Sequence, residues 1–356
     1  MAEQHDAFIG TSAVREQHRF DEARLAAWMR EHVAGFEGPL SVAQFKGGQS
    51  NPTYRLSAGS GNYVLRRKPP GKLLPSAHAV DREYKVMTAL GPIGFPVPRT
   101  YALCMDETVI GTPFFVMGCV EGRILWDQSL PGMSPAERAA IYDEMNRVIA
   151  ALHSVDHVAI GLADYGRPGN YFARQIRRWS EQYRNSETGT IAAMDNLIAW
   201  LPENIPEGDE TSIVHGDFRL DNMIFHPTEP RVLAVLDWEL STLGHPLADF
   251  SYHCMSWHIE PGNFRGIAGL DHAALGIPSE DAYIARYCER TGRERIAHWD
   301  FYLAFGLFRI AAILQGIAKR ALDGTASSTQ AVETGKRARP MAELGWSRAE
   351  RVLWRQ

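Results

Sequence analysis

Apolar and polar residues alternate differently in the two parts of the chain, strand-like in front and helical behind. An amphipathic stretch at 21–33 predicts an opening helix, since Leu25, Trp28 and Met29 share one helical face. A second helix is expected at 77–90, ending at Gly91-Pro92. Short apolar runs separated by breaks, several of them glycine-rich, predict antiparallel strands at 40–45, 53–57, 63–67, 99–103 and 113–120.

Helical spacing dominates after about residue 133. Ser134, Pro135 and Glu137 supply an N-cap, a proline at the first helical position and a glutamate at the third. Helices are expected near 134–153, 170–185 and 191–200 and again from 247, with a β-rich interlude at 213–238. The pattern predicts an α+β chain, with a β-rich lobe at 1–120 and a mostly helical lobe at 121–356.

Composition narrows the class of protein. The 356 residues are 45% hydrophobic and 22% charged, which excludes disorder, and a net charge of -5 gives no general footprint for nucleic acid. The four cysteines lack metal-ligand spacing. The apolar stretch at 301–317 contains Arg309 and Gln315, which favours a buried helix over a membrane span, and no apolar signal core opens the chain. We expect a soluble cytoplasmic protein without a membrane or nucleic-acid partner.

The strongest chemical signal is the segment 213–222. An apolar lead-in delivers His215-Gly216-Asp217, and Asn222 follows five residues after Asp217. Kinase catalytic loops have the form H-R-D-x-x-x-x-N, in which Asp accepts the substrate proton and Asn holds Mg²⁺. Arg219 could neutralise charge on the migrating phosphoryl group; a salt bridge to Asp221 is the alternative. We expect His215 to brace the loop.

A second carboxylate follows at a compatible distance. The apolar run 232–236 ends at Asp237, where phosphoryl-transfer enzymes place another magnesium ligand. Magnesium prefers hard oxygen ligands, so Asn222 and Asp237 form the predicted metal pair, and Glu239 could add a water-mediated contact. A metal-dependent hydrolase using His215, Asp217 and Asp237 is an alternative, but no further cluster completes such a site.

These motifs resemble the aminoglycoside phosphotransferase-like family, a branch of the protein-kinase-like fold, from about residue 45 to 255. The resemblance implies a bilobal fold that uses ATP and Mg²⁺, with Asp217 and Asp237 as catalytic and metal residues. The segment 244–250 is similar to the helix start after the metal aspartate. There we expect Asp249 to anchor the structure rather than to catalyse.

The front lobe is expected to hold ATP. The loop containing Gly47, Gly48, Ser50 and Asn51 resembles the family's phosphate-covering loop, although a plain hairpin turn has the same composition.

Arg66 stands where kinases carry the lysine of V-A-I-K, and Lys68 is the less favoured choice. Arginine keeps the charge but differs in geometry. Glu83 is the expected partner, ahead of Asp81.

The segment 114–122 matches an interlobe hinge. Adenine would meet the backbone near Gly118 and Val120, with Met117 behind it.

The acceptor is expected to be a small-molecule hydroxyl. After Asp237 come Trp238 and Glu239 rather than Phe-Gly, and A-P-E is missing, which argues against a protein kinase. The helical part is rich in aromatic residues and also carries arginines, which favours an anionic or partly apolar acceptor over a polycation: Arg174, Arg177, Arg178 and Arg309.

A finer likeness concerns the segments 161–166, 177–179, 236–239 and 244–246. They are similar to the kinase-like domain fused to acyl-CoA dehydrogenases, which implies a hydroxyacyl substrate, including its CoA thioester. A non-catalytic kinase-like module that binds nucleotide or a partner is the alternative. Arg66 favours that module, whereas Asp217, Asn222 and Asp237 oppose it. The sequence leaves open the acceptor, the choice of ATP or GTP, and the oligomeric state.

Overall fold

The computed structural model describes residues 10–46, 51–69, 79–262, 265–324 and 331–354. The chain divides into two compact units. The first comprises Met1–Trp126, Ile160–Leu162 and Asn222–Leu240; the second comprises Asp127–Ala159, Ala163–Asp221 and Ser241–Gln356. The predicted boundary after residue 120 stays a prediction.

The first unit contains a six-stranded antiparallel sheet. Its strands are β1 (Thr11–Ser12), β2 (Ser41–Phe45), β3 (Thr53–Ala58), β4 (Gly61–Arg67), β5 (Thr100–Cys104) and β6 (Phe114–Gly118). Their order is β1-β2-β3-β4-β6-β5. The predicted meander therefore runs through β4, but β6 rather than β5 lies beside β4, so β5 forms the edge.

Two helices, α1 (Glu22–His32) and α2 (Val80–Leu90), belong to the same unit. The Asp21 side chain caps α1 by accepting a hydrogen bond from the Arg24 amide. Leu25 and Met29 on α1 are fully buried with Tyr54 and Leu56 in one core cluster. Each such side chain contributes on the order of 1.5–3 kcal/mol by leaving water.

Five shorter strands follow: β7 (Arg123–Ile124), β8 (Ser212–Val214), β9 (Met223–Phe225), β10 (Val232–Val235) and β11 (Thr242–Gly244). The first unit has the sheet β10-β9-β7, and the second has the pair β11-β8. Because β9 pairs with β7 and the Val235 amide donates to Pro96 O, the segment Asn222–Leu240 packs with the first unit. The sequence placed that segment in the helical lobe.

The second unit is mostly helical, as its 3.6-residue spacing predicts. Its helices are α3 (Pro135–His153), α4 (Tyr171–Ser186), α5 (Ala192–Glu203), α6 (Pro246–Cys254), α7 (His272–Leu275), α8 (Glu280–Thr291), α9 (Trp299–Leu322), α10 (Ala331–Gly335) and α11 (Ala338–Leu353). The capping box predicted for α3 is present, with Ser134 and Glu137.

The helix α9 is long and apolar enough to cross a membrane by length and composition. However, 83% of its most apolar window is buried inside the protein, as in a core helix. This burial agrees with the interpretation of 301–317 as a buried segment, in which Arg309 and Gln315 are themselves buried.

The pair β8 and β11 holds the start of the candidate catalytic loop. Val214 lies opposite Thr242, and Gly244 lies opposite Ser212. A Cβ at Gly244 would meet the Tyr171 ring at 2.6 Å, so only glycine fits this register without a shift. Helix α6 begins directly afterwards, with the His245 ring accepting from the Leu247 amide. This strand-turn-helix unit places Asp249 against the loop after β8.

Candidate functional site

In the first unit, the candidate metal residues come together at the end of β10. The strand ends at Val235, and the Leu236 amide donates to Asn222 O at 2.8 Å. Asp237 then adopts a left-handed backbone with φ 65, which aspartate tolerates better than most residues. Trp238–Leu240 forms a 3-10 turn, so Glu239 does not lie on a continuation of the strand.

A buried guanidinium joins this segment to the sheet and to α2. Arg66 Nε lies 2.9 Å from Glu83 Oε2, and Arg66 Nη2 lies 2.5 Å from Asp237 Oδ1. Glu239 Oε2 is 3.8 Å from the same nitrogen. The pairing of Arg66 with Glu83, predicted from their 17-residue separation, is present. Arg66 thereby bridges two elements with separate nitrogens, which the planar guanidinium permits.

Burial shapes the protonation of this cluster. Burial alone would lower the pKa of Arg66, but the facing carboxylates, Glu83 foremost, raise it above its usual value. Burial raises the pKa of Glu83 to about 7, although Arg66 acts in the opposite direction. The guanidinium therefore stays charged, and the pKa of Glu83 lies near neutral pH.

Asn51 belongs to the same cluster. Its side chain is fully buried, and its Nδ2 donates to Glu83 Oε1 at 3.0 Å and to Glu239 Oε2 at 3.4 Å. The sequence predicted that Asn51 would offer a donor to phosphate, whereas in the structure its amide nitrogen donates to two carboxylates. Gly47, Gly48 and Ser50, the rest of the predicted phosphate loop, lie outside the described residues.

The donor set of this cluster fits a divalent cation. One guanidinium faces three carboxylates, so one positive and three negative charges leave two negative charges in excess when all are ionised. Asp237 supplies a carboxylate, and Asn222, whose backbone oxygen accepts from the Leu236 amide next to Asp237, supplies a side-chain amide. Carboxylate and amide oxygens are the ligands that magnesium prefers. The residues present therefore suit the predicted Mg²⁺ ion.

The predicted hinge residues lie at the end of β6. Met117 is buried, and Gly118 and Val120 are half-buried. The Gly118 amide donates to Arg99 O at 2.8 Å, and the Cys119 amide donates to Asn62 O at 3.3 Å. Both amides thus serve the sheet. Farther along the chain, a Cβ at Gly122 would lie 2.3 Å from Phe225 O. Only glycine therefore fits at this position without a shift of the backbone.

In the second unit, the backbone of the candidate catalytic loop is hydrogen-bonded to the Asp249 carboxylate. The His215 amide donates to Asp249 Oδ2 at 2.7 Å, and the Gly216 amide donates to Oδ1 at 2.8 Å. His153 Nε2 lies 3.3 Å from Oδ2. Burial alone would raise the pKa of Asp249, but His153 and the His215 amide hold it below its usual value. Asp249 is therefore an ionised anchor for the loop.

His215 braces the same loop from within. Its side chain is fully buried, and its Nδ1 accepts a hydrogen bond from the Asp217 amide at 3.1 Å. An imidazole that accepts from the backbone two residues ahead fixes a tight turn. This geometry matches the bracing role expected for His215.

Both oxygens of the Asp217 carboxylate have a polar neighbour. Arg219 Nη2 lies 2.9 Å from Oδ2, and the Tyr252 hydroxyl donates to Oδ1 at 3.1 Å. Arg219 also lies 3.6 Å from Asp221 Oδ2, which is the salt bridge given as the alternative for this arginine, and its role toward the phosphoryl group stays a prediction. Arg265 Nη2 contacts the same Asp221 oxygen at 2.6 Å. The candidate catalytic loop thus has two arginines against its aspartates.

Sequence reasoning did not assign Tyr252, Arg265 or Arg309 to this loop. Arg309 is buried on α9 and donates to Gly216 O at 2.7 Å. All three residues come from distant chain segments, and no motif spacing links them to Asp217. A charged Arg309 within an apolar helical run was the one available signal, since a buried charge requires polar partners.

A metal site can also be built from three or more clustered protein ligands, as in zinc proteins. Within the described ranges, no group of three or more His, Cys, Asp or Glu side chains is arranged to hold a metal ion. The metal-dependent hydrolase stays an alternative interpretation of the sequence.

Comparisons with known proteins give a consistent family. The model of the phosphotransferase enzyme family APH matches residues 41–308. Acyl-CoA dehydrogenase family member 10 from Mus musculus is 50% identical over 321 residues, which is 89% of this chain. The chain spans only 30% of the length of that relative.

Solved structures agree with the family match. A protein from Ralstonia eutropha, solved as a candidate aminoglycoside phosphotransferase, is 66% identical, with a TM-score of 0.87 over 94% of this chain and 99% of its own. Spectinomycin phosphotransferase in complex with ADP and spectinomycin has a TM-score of 0.61 over 92% of this chain and 98% of its own. At 11% identity the latter likeness shows the fold alone.

The predicted α+β class with a protein-kinase-like fold is confirmed, as is the likeness to acyl-CoA dehydrogenase family proteins. With a family match over residues 41–308 and these neighbours, the chain belongs to the APH phosphotransferase enzyme family.

Proposed function

We propose that this protein is an ATP- and Mg²⁺-dependent phosphotransferase that acts on the hydroxyl of a small molecule. The observation that carries the proposal is the buried cluster in which Arg66 contacts both Glu83 and Asp237. Kinases place a cation, a helix glutamate and a metal-binding aspartate together to hold the phosphates. Two comparisons support an adenine nucleotide as the phosphate donor. The chain belongs to a phosphotransferase family, and spectinomycin phosphotransferase was solved with ADP.

In the proposed mechanism, each residue has a separate role. Asp217 accepts the proton of the acceptor hydroxyl, and Arg219 offers positive charge where the phosphoryl group develops negative charge. Arg66, fixed by Glu83, contacts the nucleotide phosphates, and Asn222 with Asp237 would hold the metal. Bound Mg²⁺ would neutralise charge on the phosphate oxygens. His215 and Asp249 keep the loop in shape.

The Gly47, Gly48 and Ser50 backbone is proposed to cover the phosphates, and the Met117–Val120 backbone to meet the adenine. Since the Gly118 amide already donates to Arg99 O, an adenine contact there would use the Gly118 carbonyl.

For the acceptor we propose a hydroxyacyl compound, including its CoA thioester. Arg219 and Arg265 on the loop carry positive charge beside Asp217 and Asp221, and Arg309 lies behind Gly216. The guanidinium groups of Arg219 and Arg265 at this loop favour an anionic acceptor over a polycationic antibiotic. The likeness to acyl-CoA dehydrogenase family member 10 supports this choice.

Nucleotide binding provides the first test. Isothermal titration of ATP into the wild type, with and without Mg²⁺, is expected to show saturable binding that the metal strengthens. Asp237→Asn should lose most of the metal-dependent part, because an amide oxygen is a weaker ligand than a carboxylate. Asp217→Asn should bind nucleotide normally. Absence of ATP binding to the wild type would contradict the proposal.

The non-catalytic module remains the alternative function. It predicts nucleotide binding without transfer to any acceptor, whereas a kinase loses transfer in Asp217→Asn and keeps binding. Comparing hydroxyacyl-CoAs of different chain lengths with aminoglycosides in the same transfer assay separates the acceptor classes. Turnover with aminoglycosides alone would contradict the hydroxyacyl assignment.

A further inference from the structure

The hydroxyl of Tyr252 is aimed at the candidate catalytic carboxylate. It donates to Asp217 Oδ1 at 3.1 Å, while Arg219 lies against Oδ2. A carboxylate with a directional donor on one oxygen has a restricted rotation about its Cβ–Cγ bond. The hydroxyl of Tyr252 is therefore placed to set which oxygen lone pairs Asp217 presents to an acceptor.

Tyr252 itself is held firmly. It lies on α6, three residues after Asp249, which binds the backbone of the same loop. Its side chain is only 5% exposed. The Arg309 guanidinium lies 5.0 Å from the centroid of the Tyr252 ring, within the range of a cation–π contact.

Arg309 connects the tyrosine to the loop a second time. Its Nη2 donates to Gly216 O at 2.7 Å, one residue before Asp217. On its other side the guanidinium lies 5.6 Å from the Trp179 ring centroid. One buried cation thus fixes both the ring of Tyr252 and the backbone next to Asp217, so a change at Arg309 reaches the carboxylate through two routes.

Tyr252 acts here as a donor and not as a base. Burial, followed by the neighbouring Asp217, raises the pKa of the Tyr252 hydroxyl above its ordinary value. The phenol therefore keeps its proton throughout the neutral range. A fixed neutral donor suits the orientation of a carboxylate that has to receive a proton.

We propose that Tyr252 is a positioning residue for Asp217, with Arg309 as the group that holds Tyr252 in place. The role in catalysis rests on the proposed phosphotransfer. There, the acceptor oxygen bonds to the γ-phosphorus, the bond from that phosphorus to ADP breaks with its electron pair leaving on ADP, and the hydroxyl proton goes to Asp217. Tyr252 orients Asp217 for this proton and exchanges none itself.

The kinetic test is Tyr252→Phe, which removes only the hydroxyl. Tyr142→Phe is the matched control, because Tyr142 is also fully buried and donates to a backbone carbonyl, Gln128 O at 2.7 Å. We expect kcat to fall about tenfold or more in Tyr252→Phe, since misplacing a reacting group by ~1 Å can cost about 100-fold. The KM for ATP should be unchanged. Equal kcat values in the two variants, or a change confined to the KM for ATP, would overturn the proposal.

A spectroscopic arm separates this proposal from the proposed function. In protein labelled with ¹³C at the tyrosine Cζ, the Tyr252 signal is assigned by its loss in Tyr252→Phe. Asp217→Ala should shift that signal, because the hydroxyl loses its acceptor, and should leave the Tyr142 signal in place. An unmoved Tyr252 signal would overturn the contact whether or not the protein turns over a substrate.

Discussion

Arg66 is the residue at which this chain departs from the usual kinase lysine, and its contacts explain how it is accommodated. The side chain is 11% exposed and uses separate nitrogens for Glu83 and Asp237. A lysine carries its donors on one atom and at a different reach. Arginine in place of lysine therefore allows one side chain to reach both Glu83 and Asp237, which lie on different segments.

Removing the guanidinium should destabilise the protein strongly. In Arg66→Met, the buried Glu83 and the nearby Asp237 lose their cation, and breaking a buried ion pair costs about 3–5 kcal/mol. Arg66→Lys should fall between Arg66→Met and the wild type. Urea unfolding, monitored by circular dichroism, measures the difference.

A control for Arg66 is available on the neighbouring strand of the same sheet. Arg55 on β3 pairs with Glu121 at 2.9 Å, but these side chains are 35% and 68% exposed. Arg55→Met should cost at most about 1 kcal/mol, as exposed pairs do. If Arg66→Met and Arg55→Met unfolded at the same urea concentration, the buried cluster would not have the importance assigned to it.

At the scale of the element, α6 holds the candidate catalytic loop in place. Every residue of Pro246–Cys254 is buried, and the helix supplies Asp249, Tyr252 and His253 to the loop. Because the helix is buried on all sides, water cannot take the place of one of these contacts when it is lost. Its polar residues therefore act on loop geometry rather than on solubility.

Asp249→Asn should loosen the loop. The asparagine offers one oxygen and one NH₂ group where two backbone amides need acceptors, so one amide meets a donor. We expect kcat to fall about 100-fold, as misplacement of a reacting group does. Hydrogen exchange at the His215 and Gly216 amides should accelerate. Asp271→Asn, which alters only the exposed cap of α7, is the control; unchanged amide exchange in Asp249→Asn would contradict the anchor.

His253 on the same helix should make the fold acid-sensitive. Burial lowers the pKa of His253 to about 4, although its contact with Phe218 O acts in the opposite direction. Its Nε2 lies 2.7 Å from the Tyr283 hydroxyl. Between pH 6.5 and 4 the unfolded chain binds a proton that the folded chain does not, so the free energy of unfolding falls as the pH falls. The resulting loss of stability is on the order of a few kcal/mol.

The variant His253→Gln isolates this contribution. Between pH 6.5 and 4, the urea midpoint of the wild type should fall more steeply than that of His253→Gln. His32→Gln is the control, because His32 is exposed on α1. Parallel pH dependences in the wild type and His253→Gln would contradict a neutral, buried His253.

Secondary structure was the most predictable level of this protein. The strands at 41–45, 53–58 and 61–67 and the helix Pro135–His153 follow the sequence pattern closely, because alternation, glycine breaks and a capping box are local signals. The position of β5 at the sheet edge was not predictable, since it depends on pairing between distant segments. The turn at Trp238–Leu240 also escaped prediction, because Asp237 adopts a left-handed backbone.

At the scale of the whole molecule, the candidate site was predictable where chemistry follows a fixed spacing. His215, Asp217, Asn222 and Asp237 came from motifs, and the Arg66–Glu83 pair came from the strand-helix order. Tyr252, Arg265 and Arg309 could not be predicted, because only the folded second unit brings α6, α9 and the loop together. The phosphate loop at Gly47, Gly48 and Ser50 stays a prediction.

Each unit also carries its own charge pattern. The first collects carboxylates around Arg66, and the second collects arginines around Asp217 and Asp221. In the proposed phosphotransfer, the first group would bind metal and nucleotide, and the second would receive the acceptor.

Phosphoryl transfer can be observed in one experiment, ³¹P NMR of the protein with ATP, Mg²⁺ and a pool of hydroxylated metabolites that includes hydroxyacyl-CoAs. We predict a new phosphomonoester signal that grows as the γ-phosphate signal of ATP declines and that is missing with Asp217→Asn. The same new signal with Asp217→Asn, or no ATP binding by the wild type, would contradict the assignment of this protein as a kinase that uses Asp217.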